Sequence, residues 1–264
     1  MVEINKKRNM EKDQAIEVVI IGAGTAVPSL GRSPASVLLK AGDFMALLDI
    51  GPGTISKLPQ FGVDTFKLQN ILITHLHPDH ILDLIMFFLL FDINPLAREG
   101  IPLNLVGCKG LADFIQNSLK LFPDINPPSF PINIHEVSDG EIKLNGVRVL
   151  STLSNHTETS VSYRIVCKDK AVVYTGDCVK SPQLEEFCSR ADLLISECSF
   201  PDDQQTKDHM NAKSLGELSE VAGVKQLIVT HLYPSALDVD LKTQIEEYFH
   251  GPVLIAKDGT SYKF

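Results

Sequence analysis

Four side chains of the types that bind metal ions fall within six residues of this chain, His75-Leu76-His77-Pro78-Asp79-His80. The apolar run before them, residues 70–74, predicts a strand. Neutral imidazoles and carboxylates are good ligands for zinc-class metals. Alternate residues of an extended segment point the same way, so His75 and His77 can chelate one ion. A bend at Pro78 can direct Asp79 and His80 toward a second ion. A metal centre explains this pattern better than a surface loop of histidines does.

Three more ligand-type residues each follow an apolar run that predicts a strand, and they are His156, Asp177 and His231. Gly176 allows a tight backbone turn directly before Asp177. An internal likeness links the two halves of the chain, because Thr, His, Leu and Pro recur with the same spacing in residues 74–78 and 230–234. Two such strand ends facing one cleft would supply ligands from both halves.

The order HxHxDH, then a single His, a single Asp and a last His, resembles the metallo-β-lactamase superfamily. The resemblance covers nearly the whole chain, from Val18 to Phe264, and it implies an α+β fold built as a four-layer αβ/βα sandwich. It also implies two divalent metal ions. One ion would be held by His75, His77 and His156, the other by Asp79, His80 and His231, with Asp177 bridging them. This form of the motif is similar to that of the zinc hydrolases, and Mn or Fe tolerate similar ligands.

A dinuclear centre of this kind implies hydrolysis. Two divalent ions that share a hydroxide lower its pKa from ~15.7 toward ~7. The hydroxide can then attack an ester, an amide or a phosphodiester, while Asp79 orients or deprotonates the nucleophile.

The apolar patterning predicts many strands and fewer helices in each half of the chain. The predicted strands are 18–21, 35–39, 44–50, 70–74, 103–106, 132–137, 147–153, 160–166, 171–175, 192–196, 226–230 and 253–257, and the predicted helices are 54–58, 81–91, 111–121, 183–189, 212–222 and 240–249. This order favours two packed sheets with helices outside over a doubly wound sheet. We expect residues 1–15 to be a disordered or extended segment and residues 16–264 to form one domain.

A second pair of residues narrows the branch of the superfamily. Glu197 ends an apolar run, and His209 precedes a predicted helix. These positions resemble ribonuclease Z and its phosphodiesterase and arylsulfatase relatives, in which the Glu orients the His and the His helps to protonate the leaving oxygen. A phosphodiester suits such a pair, because its leaving alkoxide needs a proton. The alternative to this catalytic role is that Glu197 is an acidic residue on the surface and His209 is an ordinary residue at the start of a helix.

The substrate is expected to be small. The ribonuclease Z enzymes carry a long arm that clamps tRNA, and residues 146–192 here contain no Gly-rich basic insertion. The net charge of −9 also disfavours a long nucleic acid. We therefore expect a small phosphodiester, with a ribonuclease Z-like tRNA 3′-end endonuclease, an arylsulfatase or a carboxylic ester, lactone or thioester hydrolase as alternatives. A non-enzymatic metal-binding module is disfavoured, because none of the seven ligand positions is altered.

The five cysteines are an odd number without a CxxC pair, which predicts a reducing cytoplasm rather than a disulfide framework. The most apolar run, residues 81–91, is too short to cross a bilayer and predicts a buried helix. No membrane contact is expected. A homodimer is implied by the resemblance, because relatives are often dimers with the site near the interface.

Overall fold

Many strands of this chain contain apolar runs of several consecutive residues, and such strands need cover on both faces. In the first strand, β1 (Ile16–Gly22), Val18 and Ile20 face one core while Val19 and Ile21 face another. The structure, a computed structural model, describes residues 15–98, 100–125, 130–204 and 206–264. The predicted disordered or extended segment 1–15 lies outside the described residues, apart from Ala15.

The first sheet has seven strands in the order β14-β1-β2-β3-β4-β5-β6. Its strands are β1 (Ile16–Gly22), β2 (Ser36–Ala41), β3 (Phe44–Leu48), β4 (Asn70–Ile73), β5 (Leu103–Cys108), β6 (Ile132–Val137) and β14 (Ser261–Lys263). The strands from β14 to β3 pair antiparallel, and those from β3 to β6 pair parallel.

The second sheet has the same plan, in the order β13-β12-β11-β10-β9-β8-β7. It contains β7 (Gly140–Leu144), β8 (Val147–Leu153), β9 (Val161–Cys167), β10 (Lys170–Tyr174), β11 (Leu193–Glu197), β12 (Leu227–Thr230) and β13 (Val253–Ile255). Its pairs from β7 to β10 are antiparallel, and those from β10 to β13 are parallel. Parallel strands carry their carboxyl ends at one edge of the sheet, which is where β4 and β12 each lead into a histidine.

The helices are α1 (Thr54–Lys57), α2 (Pro78–Ile81), α3 (Asp83–Ile93), α4 (Leu111–Leu121), α5 (Pro182–Phe187), α6 (Ala212–Ala222), α7 (Pro234–Leu237) and α8 (Leu241–Glu246). Short 3-10 helices lie at Leu58–Phe61, Thr65–Lys67 and Pro95–Arg98. Among the described residues no helix has both the length and the apolar character needed to cross a membrane.

Three apolar cores hold these layers together. The central core joins the facing sides of the two sheets through residues such as Leu39, Tyr163 and Ile195. The outer face of the first sheet packs against α3 and α4, and that of the second sheet packs against α5, α6 and α8. The order helix, sheet, sheet, helix confirms the predicted four-layer αβ/βα sandwich.

Several details differ from the sequence-based expectations. Strands β7 and β14 were not predicted, and the strand predicted for 253–257 ends at Ile255. The apolar run 81–91 is helical, but it is not buried all round, because Leu82 and Met86 are exposed. Because apolar residues lie on every face of this helix, the sequence did not indicate which face is exposed.

Candidate metal centre

A buried carboxylate, Asp49, organises the loop that carries the histidine cluster. Asp49 follows β3 and accepts hydrogen bonds from the Thr74 amide at 2.7 Å and the Tyr174 hydroxyl at 2.8 Å. It also accepts one from His80 Nδ1 at 2.7 Å. Because Nδ1 of His80 is engaged in this way, its Nε2 atom is left to face the other ligand-type side chains.

The metal-binding motif bends where the sequence predicted it to bend. Pro78 is the first residue of α2, with His77 extended before it, and Asp79 and His80 lie within the helix. Proline is favoured at the first helical position because its missing N–H would have no partner there. The change from extended to helical backbone directs Asp79 and His80 to a different side of the cluster from His75.

One group of ligand-type residues contains His75, His77, His156 and Asp177, whose nitrogen and oxygen atoms all lie within 4.8 Å of one another. Nε2 of His156 is 3.2 Å from Nδ1 of His77. The other ring nitrogen of His156 donates to the Asp208 carbonyl at 2.6 Å, which orients the ring. The loop before α6 therefore helps to position this histidine.

A second group contains Asp79, His80 and His231. Nε2 of His231 lies 3.3 Å from Nε2 of His80 and 3.5 Å from Oδ2 of Asp79. His231 adopts a positive φ of 54°, an uncommon conformation for a residue with a side chain. Its carbonyl and its Nδ1 atom both contact the Ser199 hydroxyl at 3.2 Å, and these contacts hold the residue in place.

Asp177 lies between the two groups. Its Oδ1 atom is 3.3 Å from Nε2 of His80 and 3.4 Å from Nε2 of His231. Its Oδ2 atom is 3.8 Å from Nε2 of His75 and 3.7 Å from Nε2 of His156. Each carboxylate oxygen thus faces a different group, an arrangement that suits a ligand shared by two ions.

Unpaired polar atoms test whether a metal fits this site. His75 Nε2 and Asp177 Oδ1 are buried and have no hydrogen-bond partner among the described residues. Burial, together with the neighbouring positive charge of His80, lowers the pKa of His75 to about 2, so its ring is neutral. A buried polar atom without a partner is costly. A neutral imidazole and a carboxylate that both lack partners fit a divalent metal ion.

Gly176 sets the position of Asp177. It has a φ of 58°, and a Cβ atom added to it would lie 2.6 Å from the side chain of Thr74. Only glycine meets both conditions without strain. The second sheet can therefore approach the end of β4 closely enough for Asp177 to reach the histidines of the motif.

Glu197 and His209 meet beside these groups. The Glu197 carboxylate accepts hydrogen bonds from the Cys178 amide at 2.7 Å and from His209 Nδ1 at 3.0 Å. Burial lowers the pKa of His209, but the hydrogen bond and charge of Glu197 outweigh it and raise the pKa above the ordinary histidine value. His209 Nδ1 lies 3.9 Å from Asp177 Oδ2, so the pair borders the cluster.

The structure brings together all nine residues predicted for the site. They are His75, His77, Asp79, His80, His156, Asp177, Glu197, His209 and His231. Sequence reasoning missed Asp49, Tyr174 and Ser199, which support them. The signal for Asp49 was a charged residue directly after the apolar run Phe44–Leu48, the same pattern that marked Asp177.

Comparison with known proteins identifies the family. Residues 46–232 match the Beta-lactamase superfamily domain. The chain belongs to this superfamily. It is 28% identical over 247 residues to the ribonuclease Z of Mycobacterium marinum (strain ATCC BAA-535 / M), covering 84% of this chain and 88% of that protein. It is 29% identical over 248 residues to the probable metallo-hydrolase YhfI of Bacillus subtilis (strain 168), covering 92% and 98%.

Solved structures of superfamily members agree with this. The crystal structure of YhfI from Bacillus subtilis superposes with a TM-score of 0.83 at 26% identity, covering 95% of this chain and 100% of that one. Human tRNase Z, short form (ELAC1), has a TM-score of 0.77 at 23% identity, covering 93% and 98%, and shares the fold. As a member of the superfamily, the present chain is a metal-dependent hydrolase with the metallo-β-lactamase fold. That fold implies a divalent metal.

Proposed function

We propose that the protein is a dinuclear-metal hydrolase that cleaves a small phosphodiester. The observation that carries this proposal is the Glu197–His209 contact at 3.0 Å, located beside the ligand groups. A phosphodiester needs two things from its enzyme, an activated nucleophile and a proton for the departing alkoxide. The two ligand groups serve the first need, and the Glu197–His209 pair serves the second.

The residues that would hold the metal ions follow from the two groups. His75, His77 and His156 would hold one ion, Asp79, His80 and His231 the other, and Asp177 would bridge them. Five imidazoles and two carboxylates favour zinc, with Mn or Fe as alternatives. When bound, such ions acidify a water molecule and stabilise negative charge that develops on the substrate.

Asp79 and His209 then act on the reacting groups. Asp79 is half-buried; burial raises its pKa, but the hydrogen bond from His231 and the charges of His80 and His231 hold the pKa well below its usual range. It is therefore a carboxylate that can orient or deprotonate the nucleophile. The Nδ1 proton of His209 is committed to Glu197, so its Nε2 atom is the one that can protonate the leaving oxygen.

The proposed substrate is small because the first part of the second half, residues 146–192, carries no long insertion that could grip a long one. Between Gly146 and Asp192, a stretch described throughout, the longest connections are the seven-residue segments 154–160 and 175–181. The net charge of −9 also disfavours a long nucleic acid as the substrate.

A tRNA 3′-end endonuclease is the second candidate. The specific observation in its favour is the 28% identity to proteins named Ribonuclease Z over 84% of this chain. Arylsulfatase and carboxylic ester, lactone or thioester hydrolases share the metal chemistry, but the carboxylic esters depend less on a separate leaving-group acid.

A substrate panel on zinc-loaded protein tests the proposal. It compares bis(4-nitrophenyl) phosphate, 4-nitrophenyl sulfate, a lactone, a thioester, a β-lactam and a precursor tRNA. We expect the phosphate diester to give the highest kcat/KM among the small compounds and the precursor tRNA to give no specific cleavage. Turnover of the lactone or thioester alone would contradict the phosphodiester assignment, and cleavage of the tRNA at its 3′ end would establish the second candidate.

Two further expectations belong to this proposal. All five cysteines are buried and free, which supports a reducing cytoplasm as the location.

Exposed apolar side chains run along α3 and just before it, at Leu82, Met86 and Ile93. Exposed apolar side chains spaced about one and two turns apart on one helix favour an interface, and a second copy of this chain is the occupant that we propose.

A further inference from the structure

An aromatic pair, Phe200 and Tyr233, borders the site and has no part in the catalysis described above. The two rings stack, with centroids 5.1 Å apart and planes inclined by 18°. Both rings lie near His209, at 6.1 Å from Phe200 and 5.8 Å from Tyr233. The three rings form a nearly equilateral triangle, and Tyr233 also lies 5.9 Å from His231.

The fold does not need this pair for its core. Phe200 and Tyr233 are both only partly buried, and neither belongs to the three apolar cores. The Tyr233 hydroxyl makes no hydrogen bond with the described residues. Partly exposed aromatic rings beside a reaction centre are more typical of ligand contact than of packing.

We infer that Phe200 and Tyr233 form a stacking subsite for a planar ring of the substrate, on the leaving-group side of the reaction centre. The inference rests on the proposed function, because His209 marks the position of the leaving oxygen. A ring attached to the leaving group lies within a few bonds of that oxygen, and the pair lies at the matching distance from His209. The chemical class that fits is a nucleotide-type phosphodiester, since a nucleobase presents a flat face to aromatic side chains.

A cleft that His209 also lines offers a weaker alternative. This cleft of about 260 Å³ is also lined by Lys180, Lys213 and Glu217, among others. Lys180 already bonds to Glu217 at 2.5 Å, and Lys213 lies over the ring of Tyr248. Because its cations are partnered within the protein, this cleft attracts an anionic group less than unpartnered cations would. The aromatic side has unused binding groups, and we place the planar ring there.

Calorimetric titration of the zinc-loaded full-length protein tests the subsite without requiring turnover. The probes are adenosine 5′-monophosphate and ribose 5-phosphate, which carry a base and a hydroxyl group, respectively, on the anomeric carbon. We expect the nucleotide to bind about tenfold more tightly than the sugar phosphate, because the stacking of a base on an aromatic ring is worth a factor of that order. Tyr233→Leu and Phe200→Leu should each reduce the preference, whereas Tyr233→Phe should keep it.

Tyr262→Leu is the matched control. Tyr262 also packs against a neighbouring ring, Phe264, but it belongs to the edge strand β14, so the preference should be unchanged. Equal binding of the two probes by the native protein, or no binding of either, would overturn the inference. So would a Tyr233→Leu variant that loses both probes equally. Phe200→Leu decides the question if Tyr233→Leu does not fold.

The outcomes separate this inference from the proposed function. A nucleotide preference that disappears in Tyr233→Leu establishes the subsite even if the diester panel shows no phosphodiesterase activity. Strong diester turnover without a nucleotide preference leaves the proposed function standing and removes the subsite.

Discussion

Because His209 Nδ1 donates to Glu197, the Nε2 atom of His209 is the one that can carry the proton for the leaving group. We expect His209→Ala to lower kcat for a phosphodiester by about 10²- to 10⁴-fold, the usual contribution of a general acid. The loss should be larger for a diester that releases methoxide than for a diester that releases 4-nitrophenolate, because methoxide is the stronger base and needs the proton more. Steady-state kinetics on both diesters check this, with zinc content measured on the same samples. Equal losses on both diesters, or loss of zinc, would show that His209 has another role.

Gly176 provides a residue-scale test of how Asp177 is positioned. Gly176→Ala brings a Cβ atom to 2.6 Å from Thr74, at a φ of 58°. Gly62→Ala is the matched control, because Gly62 has a φ of 67° and open space around its Cβ position. We expect the control to lose about 1 kcal/mol of unfolding free energy. Gly176→Ala should lose about 1–3 kcal/mol more because of crowding. Urea unfolding measures both, and equal losses would refute the crowding argument.

The seven ligand-type residues could be predicted because such side chains directly follow apolar runs, whereas Glu197 and His209 were predicted from the resemblance to ribonuclease Z. Asp49 carries the same local pattern as Asp177, but its hydrogen bonds with His80 and Thr74 could not be predicted from it. Its role arises from the parallel pairing of β3 with β4, which places residues 24 positions apart, such as Leu48 and Leu72, side by side. Tyr174 reaches Asp49 from the other sheet, a contact that depends on how the sheets pack.

At the scale of elements, Asp192 ties the second sheet together at the start of β11. Its carboxylate accepts hydrogen bonds from the Ala171 amide in β10 and from Lys225 before β12, both at 2.9 Å. We expect Asp192→Asn to lower the unfolding free energy by about 1–3 kcal/mol at pH 7. Asp203→Asn should have little effect, because Asp203 is exposed. Urea unfolding compares the two variants, and similar losses in both would contradict this role.

The difference in unfolding free energy between the native protein and Asp192→Asn should depend on pH with a definite sign. Burial raises the pKa of Asp192, but the hydrogen bonds from Lys225 and the Ala171 amide outweigh it and hold the pKa below its usual value. The pKa in the folded protein therefore lies below the unfolded value of about 3.9. The stabilisation is fully present above about pH 4 and is lost as pH falls through the folded pKa. The gap between native protein and Asp192→Asn should stay constant from pH 8 to 5 and shrink below 4. A gap that widens on acidification would refute the assignment.

Most strands were predictable because they are apolar on both faces, and the two that were missed show the limit of this signal. Strand β7 is largely exposed, with the sequence Gly-Glu-Ile-Lys-Leu, and β14 has only three residues. Their strand conformation comes from pairing with β8 and β1 and not from an apolar pattern of their own. The exposed face of α3 could not be predicted for the opposite reason, because apolar residues occur on every side of that helix.

At the scale of the whole molecule, the exposed apolar side chains along α3 predict a homodimer. Met86 is 52% exposed there, and Val221 on α6 is 69% exposed, which makes it a matched control. We expect the native protein and Val221→Glu to be dimers by light scattering at micromolar concentration. Met86→Glu should be a monomer, because a buried unpaired charge opposes association. A native monomer, or a Met86→Glu dimer, would contradict the proposed interface.

Metal removal should loosen the whole sandwich, because the ligand groups join its two sheets. His75 follows β4 of the first sheet, whereas Asp177 and His231 follow β10 and β12 of the second. Without metal, the buried His75 Nε2 and Asp177 Oδ1 atoms have no partner among the described residues. Binding to the folded state alone adds about 4 kcal/mol when the metal is 1,000-fold above its Kd. For a chain of this length that corresponds to a Tm difference on the order of 10 °C. Calorimetry of the zinc-loaded and chelator-treated protein measures it, with Asp177→Asn as the comparison. The variant should show a much smaller response to zinc, and an unchanged response would mean that Asp177 does not join the two groups.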